Sequence, residues 1–227
     1  MLAQKCCHFP ILSAIVLLLI MRVNTKSESL PENYEPDHKT IKAAMEEHRI
    51  LPDIHKVPTS HIIKTNFKSG KSAMMGNELS KEDTKELPRI GYPYQNDSYY
   101  AIVMSDLDAP TPNKPFLREW QNWLVVNIPG GNLSAGETLS QYIAPAEETA
   151  SDYIGPGSHN FTGNHRYVIS LYRQPGPIKV DDDHLDNKSD YGRICYSTNM
   201  FATDNELGNP LAVNFWYTSH DKSDITH

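Results

Sequence analysis

Six side chains in this sequence have types and spacing that could do chemistry together: Asp106, Asp108, Trp120, Asn122, His165 and Tyr167. Asp106 and Asp108 follow the apolar run Tyr99–Ser105, which has the length and composition of a buried strand. Trp120 stands just before a second apolar run, Asn122–Ile128, and His165 just before a third, Tyr167–Tyr172. If the first two runs pair antiparallel, the end of one meets the start of the other. If the third lies antiparallel on the other side of the first, His165 arrives at the same rim. Positions i and i+2 of an extended chain project to one side, which groups Asp106 with Asp108 and His165 with Tyr167. Such a rim can hold a small anion: His165 supplies a donor, Tyr167 a hydroxyl, and Asp106 fixes the tautomer of the imidazole. The carboxylates could instead face an ammonium group.

Each residue also has a plainer role open to it. An aspartate at a strand end is a common Asx-turn former, His165 can be a hydrogen-bonded sheet residue, and Trp120 and Tyr167 can be core. Stronger chemical signatures are missing. The chain has no Gly-x-Ser-x-Gly elbow, and Ser158-His159 is adjacent only in sequence. It has no His-Glu-x-x-His, no Cys-x-x-Cys and no Gly-x-x-x-x-Gly-Lys phosphate loop. The expectation is therefore no metal, no cofactor and no catalysis. A hydrolase using the two carboxylates and His165 is the weakest of the readings considered.

The elements that must position these residues come from a chain of 227 residues, enough for one domain with a full core. Residues 1–25 read as a cleaved export signal rather than an anchor: Lys5, a nearly unbroken apolar run Phe9–Met21, then Val23 and Thr25. Residues 26–227 are read as a single domain. The whole chain carries 21 Lys and Arg against 28 Asp and Glu, a net charge of −7. Loss of Lys5 and Arg22 with the signal takes this to −9. An acidic protein without a basic stripe is unsuited to nucleic acid or to broad adsorption on anionic membranes. Cys6 and Cys7 leave with the signal, so Cys195 is expected as a lone, buried, small apolar residue. Sequons at Asn96, Asn132, Asn160 and Asn187, each in a segment read as loop, agree with passage through the secretory route.

In chain order, Asp37 can cap a helix from His38 to about Ile50, stopped by Leu51-Pro52. A strand Ser60–Phe67, a turn Lys68–Lys71 and a return Ser72–Gly76 form a hairpin. A short segment Gly136–Tyr142 precedes a long irregular loop, Ala144–Thr162. Asp181–Asp183 read as a solvated turn, Met200-Phe201 as the start of a short helix, and Leu211–Tyr217 as the last strand.

Two spaced motifs resemble the phosphatidylethanolamine-binding proteins. Asp106-Leu107-Asp108-Ala109-Pro110, followed by Arg118-Glu119-Trp120 and a strand, is similar to that family's central signature Asp-Pro-Asp-Ala-Pro with Arg-Glu-Trp. Gly163-Asn164-His165-Arg166-Tyr167 is similar to its Gly-x-His-Arg-Tyr, and Gly155-Pro156 to the Gly-Pro before it. The resemblance implies a mainly β sandwich: a large central antiparallel sheet, a smaller second sheet and a few short helices. It implies an anion pocket for a phosphoryl head group, lined by Asp106, Asp108, Trp120, Gly155, Pro156, His165 and Tyr167. Three departures carry expectations. Asn122 stands where members often have His, which should weaken anion affinity, because an amide cannot become cationic. Leu107 in place of Pro should loosen its loop, and Ala144–Asp152 reads as an insertion before the pocket wall. The C-terminal helix of animal members is expected to be short or absent.

The functional expectation is a secreted, non-enzymatic binding protein that holds a phospholipid head group or another small anionic ligand. In it Asp106 orients His165, while His165, Tyr167 and Asn122 donate to the anion. The alternative is a protease or kinase inhibitor acting through surface loops.

Overall fold

The computed structural model describes residues 35–148, 161–180, 184–188 and 192–220. Residues 1–25, read above as an export signal, and Gly155, Pro156, Asn160 and Asp181–Asp183 lie outside these residues. Nine strands run in chain order: β1 His61–Ile62, β2 Lys64–Asn66, β3 Asn77–Glu78, β4 Arg89–Gly91, β5 Tyr99–Asp106, β6 Trp120–Pro129, β7 Glu137–Ser140, β8 Asn164–Gln174 and β9 Ala212–Ser219. The α-helices among the described residues are α1 His38–Glu47, α2 Ile50–Asp53 and α3 Thr198–Asp204.

β5 lies at the middle, antiparallel to β6 on one side and β8 on the other. The large sheet has the order β1-β9-β8-β5-β6-β7, with β3 also on β9. It is mixed rather than wholly antiparallel, because the two-residue strands β1 and β3 both run parallel to β9. The expected hairpin after Ser60 divides. Ile63 separates β1, in the large sheet, from β2, which pairs antiparallel with β4 in the small one. The turn at Gly70 (φ 86°) forms, but the return is a single bridge between Asn66 and Ser72.

Both faces of the large sheet are covered, so its strands are apolar throughout instead of alternating. On one face Ile102, Met104, Tyr167, Ile169 and Trp216 pack with Phe67, Ala73 and Ile90 around the small sheet. On the other, Val168, Val213 and Phe215 receive Ile41 and Met45 of α1. Val103, Leu124 and Tyr172 receive Phe201 and Ala202 of α3. Burying a side chain of this size is worth about 1.5–3 kcal/mol. Asp37 caps α1 by accepting from the Thr40 amide at 2.7 Å, and Arg49 in the left-handed region (φ 55°) separates α1 from α2. Cys195 departs from its expected place. Its backbone is left-handed (φ 53°), which turns the thiol outward, and the residue is exposed.

Arg166 ties the helices to the sheet. It lies on the helix-side face, donates Nε and Nη2 to the two oxygens of Asp108 at 2.8 and 2.7 Å, and reaches the His48 and Arg49 carbonyls at 3.1 and 3.2 Å. Removing the guanidinium takes away the two shortest contacts of a nearly buried carboxylate and leaves it Arg118 at 3.1 Å and a backbone amide. Arg166→Met is therefore expected to lower unfolding free energy by about 3 kcal/mol, read from the urea midpoint.

His55 is 1% exposed and shares a 2.8 Å hydrogen bond between its Nε2 and Ser170 Oγ. Burial pushes its pKa down from 6.5 to about 4. The folded state keeps this ring neutral while the unfolded chain takes up a proton below pH 6.5. The stability it contributes is thus present above pH 6.5 and lost as pH falls toward 4, roughly 3 kcal/mol at the low end. Thermal unfolding followed across this window should fall less steeply with acid in His55→Gln than in the native chain.

Candidate functional site

The register of the sheet decides which side chains meet. Asp106 on β5 has Tyr167 of β8 and Trp120 of β6 as its direct partners on either side. His165, two residues before Tyr167, projects to the same face. Its Nδ1 lies 2.7 Å from Asp106 Oδ2 and its Nε2 3.1 Å from the Thr162 carbonyl. Both ring nitrogens face acceptors, which is the geometry of an imidazolium. Burial works against the cation, but the Asp106 charge and hydrogen bond, with the Thr162 carbonyl, hold the pKa above the usual value. The other Asp106 oxygen accepts from the Asp108 amide at 2.7 Å, so Asp106 also fills the Asx-turn role.

A bulge in β6 admits Asn122. Met104 pairs with Trp123 and Ser105 with Gln121, leaving Asn122 as the extra residue without a partner on β5. A bulge of this kind re-aims a side chain at the rim of a sheet. Asn122 Nδ2 donates to the Ile143 carbonyl at 3.1 Å and to Glu148 Oε1.

Glu148 occupies the hollow. It is 8% exposed; its Oε2 accepts from the Tyr167 hydroxyl at 2.6 Å and lies 3.8 Å from His220 Nε2. Burial and then the nearby Asp106 charge push its carboxyl well above the ordinary carboxylate range. His220 follows β9 directly. Its amide donates to the Gly163 carbonyl at 2.7 Å, its ring Nε2 is 2.7 Å from Tyr167 Oη, and its ring centroid is 4.4 Å from that of His165. Burial, reinforced by His165, keeps His220 neutral, with a pKa of about 2. Phe161 closes one wall, edge-on to Trp120 at 5.5 Å and 5.7 Å from each imidazole. Trp120 Nε1 and Asn122 Oδ1 are buried without a hydrogen-bond partner among the described residues.

Asp108 is not in this hollow. After Asp106 the chain turns, Leu107 drops into the helix-side core, and Asp108 pairs with Arg166 and, at 3.1 Å, with Arg118. Burial alone would raise its pKa, but Arg166 holds it below the usual value. The spacing argument that put both aspartates on one side assumed that the strand continued through Asp108, whereas β5 ends at Asp106. Leu107 is a fully buried anchor, not a loosened link.

The structure thus gathers Asp106, Trp120, Asn122, His165 and Tyr167, sends Asp108 elsewhere, and leaves Gly155 and Pro156 outside the described residues. His165 has both nitrogens engaged, so it holds the frame and has no N–H turned to an incoming anion. Sequence reasoning missed Glu148, Phe161 and His220. The segment Ala144–Asp152 did stand out as an insertion next to the pocket, and its paired acids Glu147 and Glu148 were the available signal. His220 carried none, since only the β8–β9 pairing brings it in.

Comparison with known proteins follows the same frame. The family described as phosphatidylethanolamine-binding protein matches residues 63–216, from the end of β1 into β9. The chain belongs to the phosphatidylethanolamine-binding protein family. A Drosophila melanogaster relative with the provisional name odorant-binding protein A5 is 24% identical over 188 residues, covering 83% of this chain and 84% of its own. Among solved structures, the carboxypeptidase Y inhibitor in complex with its cognate proteinase is similar with a TM-score of 0.62 at 23% identity, over 81% of this chain and 97% of that one. The phosphatidylethanolamine-binding protein from Plasmodium vivax has a TM-score of 0.60 at 20% identity, over 82% and 99%. These two likenesses show the shared fold.

Within this family member each signature residue has a separate task. Arg118 braces Asp108 and also donates to the Leu107 carbonyl. The Glu119 carboxylate accepts from the amide and hydroxyl of Thr198 at the start of α3. Trp120 faces the hollow. In the second signature, His165 and Tyr167 serve the hollow while Arg166, one step out of phase, serves the helices.

Proposed function

We propose that this chain is a non-enzymatic binding protein whose hollow at the β5–β6–β8 rim seats a small oxyanion, the phosphoryl head group of a phospholipid or a free phosphate- or carboxylate-bearing ligand. The observation that carries this reading is the pair of donors, Asn122 Nδ2 and Tyr167 Oη, both turned on a carboxylate inside a closed site. The side chain of Glu148 plays the part of the ligand. An external anion would bind by taking its place, with Asp106 and His165 as the fixed floor. Membership of the family and the shared fold with the Plasmodium vivax protein support the same class of ligand.

This reading makes Glu148 a competitor. Removing it frees two donors and vacates the place in which they converge. Glu148→Ala should bind phosphoethanolamine at least tenfold more tightly than the native chain, measured by titration calorimetry. Adding Tyr167→Phe to that variant should return affinity to the native value or below, since one donor is then missing. Equal affinities across all three proteins would dismiss the seat.

We also read the protein as exported. Asn96, Asn132 and Asn187 are exposed, as attachment of a glycan requires. Secretion from eukaryotic cells with a loss of apparent mass on glycosidase treatment is the expected result. An inhibitor acting through its loops is the second reading, favoured by the carboxypeptidase Y inhibitor that shares this fold and holds a proteinase.

A further inference from the structure

Glu148, His165 and His220 come from three separate segments, and each brings one ligand-type atom within 4.8 Å of the other two. All three residues are buried. We propose that this triad is a binding site for one divalent transition-metal ion of the zinc class, formed while Glu148 occupies the hollow.

The donor set selects the class of ion. Two imidazoles and a carboxylate suit zinc, cobalt or ferrous iron. Calcium and magnesium want oxygen alone, and cuprous copper wants thiolate or thioether. Three protein ligands is the count seen in open zinc sites, where water supplies the fourth donor.

The surroundings are those of a supported site. Asp106 Oδ2 at 2.7 Å from His165 Nδ1 fixes which nitrogen carries the ring proton and leaves Nε2 to face a metal. The ion would replace the proton that Nε2 now directs at the Thr162 carbonyl. Asn122 holds the second oxygen of Glu148, and the Gly163 carbonyl pins the backbone of His220. Glu148 Oε2 and His220 Nε2, 3.8 Å apart, would need to close to roughly 3.3 Å around a tetrahedral zinc ion. Tyr167 Oη lies beside both, within 2.7 Å of each, and would remain a hydrogen-bond partner of the bound carboxylate.

Charge favours the ion as well. Asp106 and Glu148 place two carboxylates in one closed hollow, and their hydrogen-bond partners among the described residues include no Lys or Arg. Buried carboxyl groups without a basic partner form a site suited to a dication.

The inference does not depend on the anion reading, and Glu148 separates the two. Anion binding needs this side chain to leave, whereas metal binding needs it to stay. The purified full chain, stripped with a chelator, should take up one equivalent of Zn²⁺ in titration calorimetry. With Co²⁺ it should develop the visible bands of a low-coordinate nitrogen–oxygen site. Glu148→Ala and His220→Ala should each weaken Zn²⁺ uptake by a hundredfold or more, and Asp106→Asn by roughly 10- to 100-fold. Native-like circular dichroism in each variant would establish that the fold persists. Failure to take up either ion stoichiometrically, or uptake unaltered by either ligand variant, would overturn the proposal. A gain in phosphoethanolamine affinity in Glu148→Ala without any loss of Zn²⁺ uptake would uphold the anion seat and reject the metal site.

Discussion

The 2.7 Å contact between Asp106 and His165 is the constraint on which the rest of the site depends. It joins the last residue of one central strand to the start of its neighbour, in a place from which water is excluded. An isolated carboxylate or imidazolium there would cost several kcal/mol, and the pair with its flanking amide and carbonyl makes both tolerable. With that pair set, Tyr167 and Trp120 fall on either side of Asp106 by register, and the hollow takes its shape. The pair is a fixture of the floor rather than a ligand-handling device, because none of its strongest donors is left free.

A second buried pair runs back to back with the first. Arg166 lies on the opposite face of β8 from His165, and Asp108, beyond the turn that ends β5, meets it there. Alternation along β8, together with the turn after Asp106, divides a short stretch of sequence between two jobs. One side closes a binding hollow, and the other fastens α1 and α2 to the sheet. The signatures are dense because they serve both faces at once.

Much of this was legible in the sequence. The central strands, their antiparallel order and the meeting of Asp106, Trp120, Asn122, His165 and Tyr167 follow from apolar runs and spacing, with the ends of strands off by one to three residues. What failed did so for local reasons. Asp108 was misplaced because one residue of turn reverses a parity argument. Ser60–Phe67 was read as one strand because nothing in its pattern marks Ile63 as the point where the chain passes between sheets. Residue type alone predicts a buried Cys195, whereas its left-handed loop position is exposed. Glu148 and His220 reach the hollow through contacts distant in sequence, one from an irregular segment and the other from beyond the last strand. No period or motif encodes such contacts.

The bulge in β6 has a further consequence. Most residues of a central strand are bound by two neighbours, so a change in one disturbs the packing of the others. Asn122 is outside that bargain: it pairs with nothing on β5, yet its side chain reaches into the hollow. The sheet therefore contains one place where the chemistry of the cavity can be exchanged, amide for imidazole or acid, without reordering the core beside it. A fold with such an uncoupled position can diversify its ligands by single substitutions while its architecture stands still.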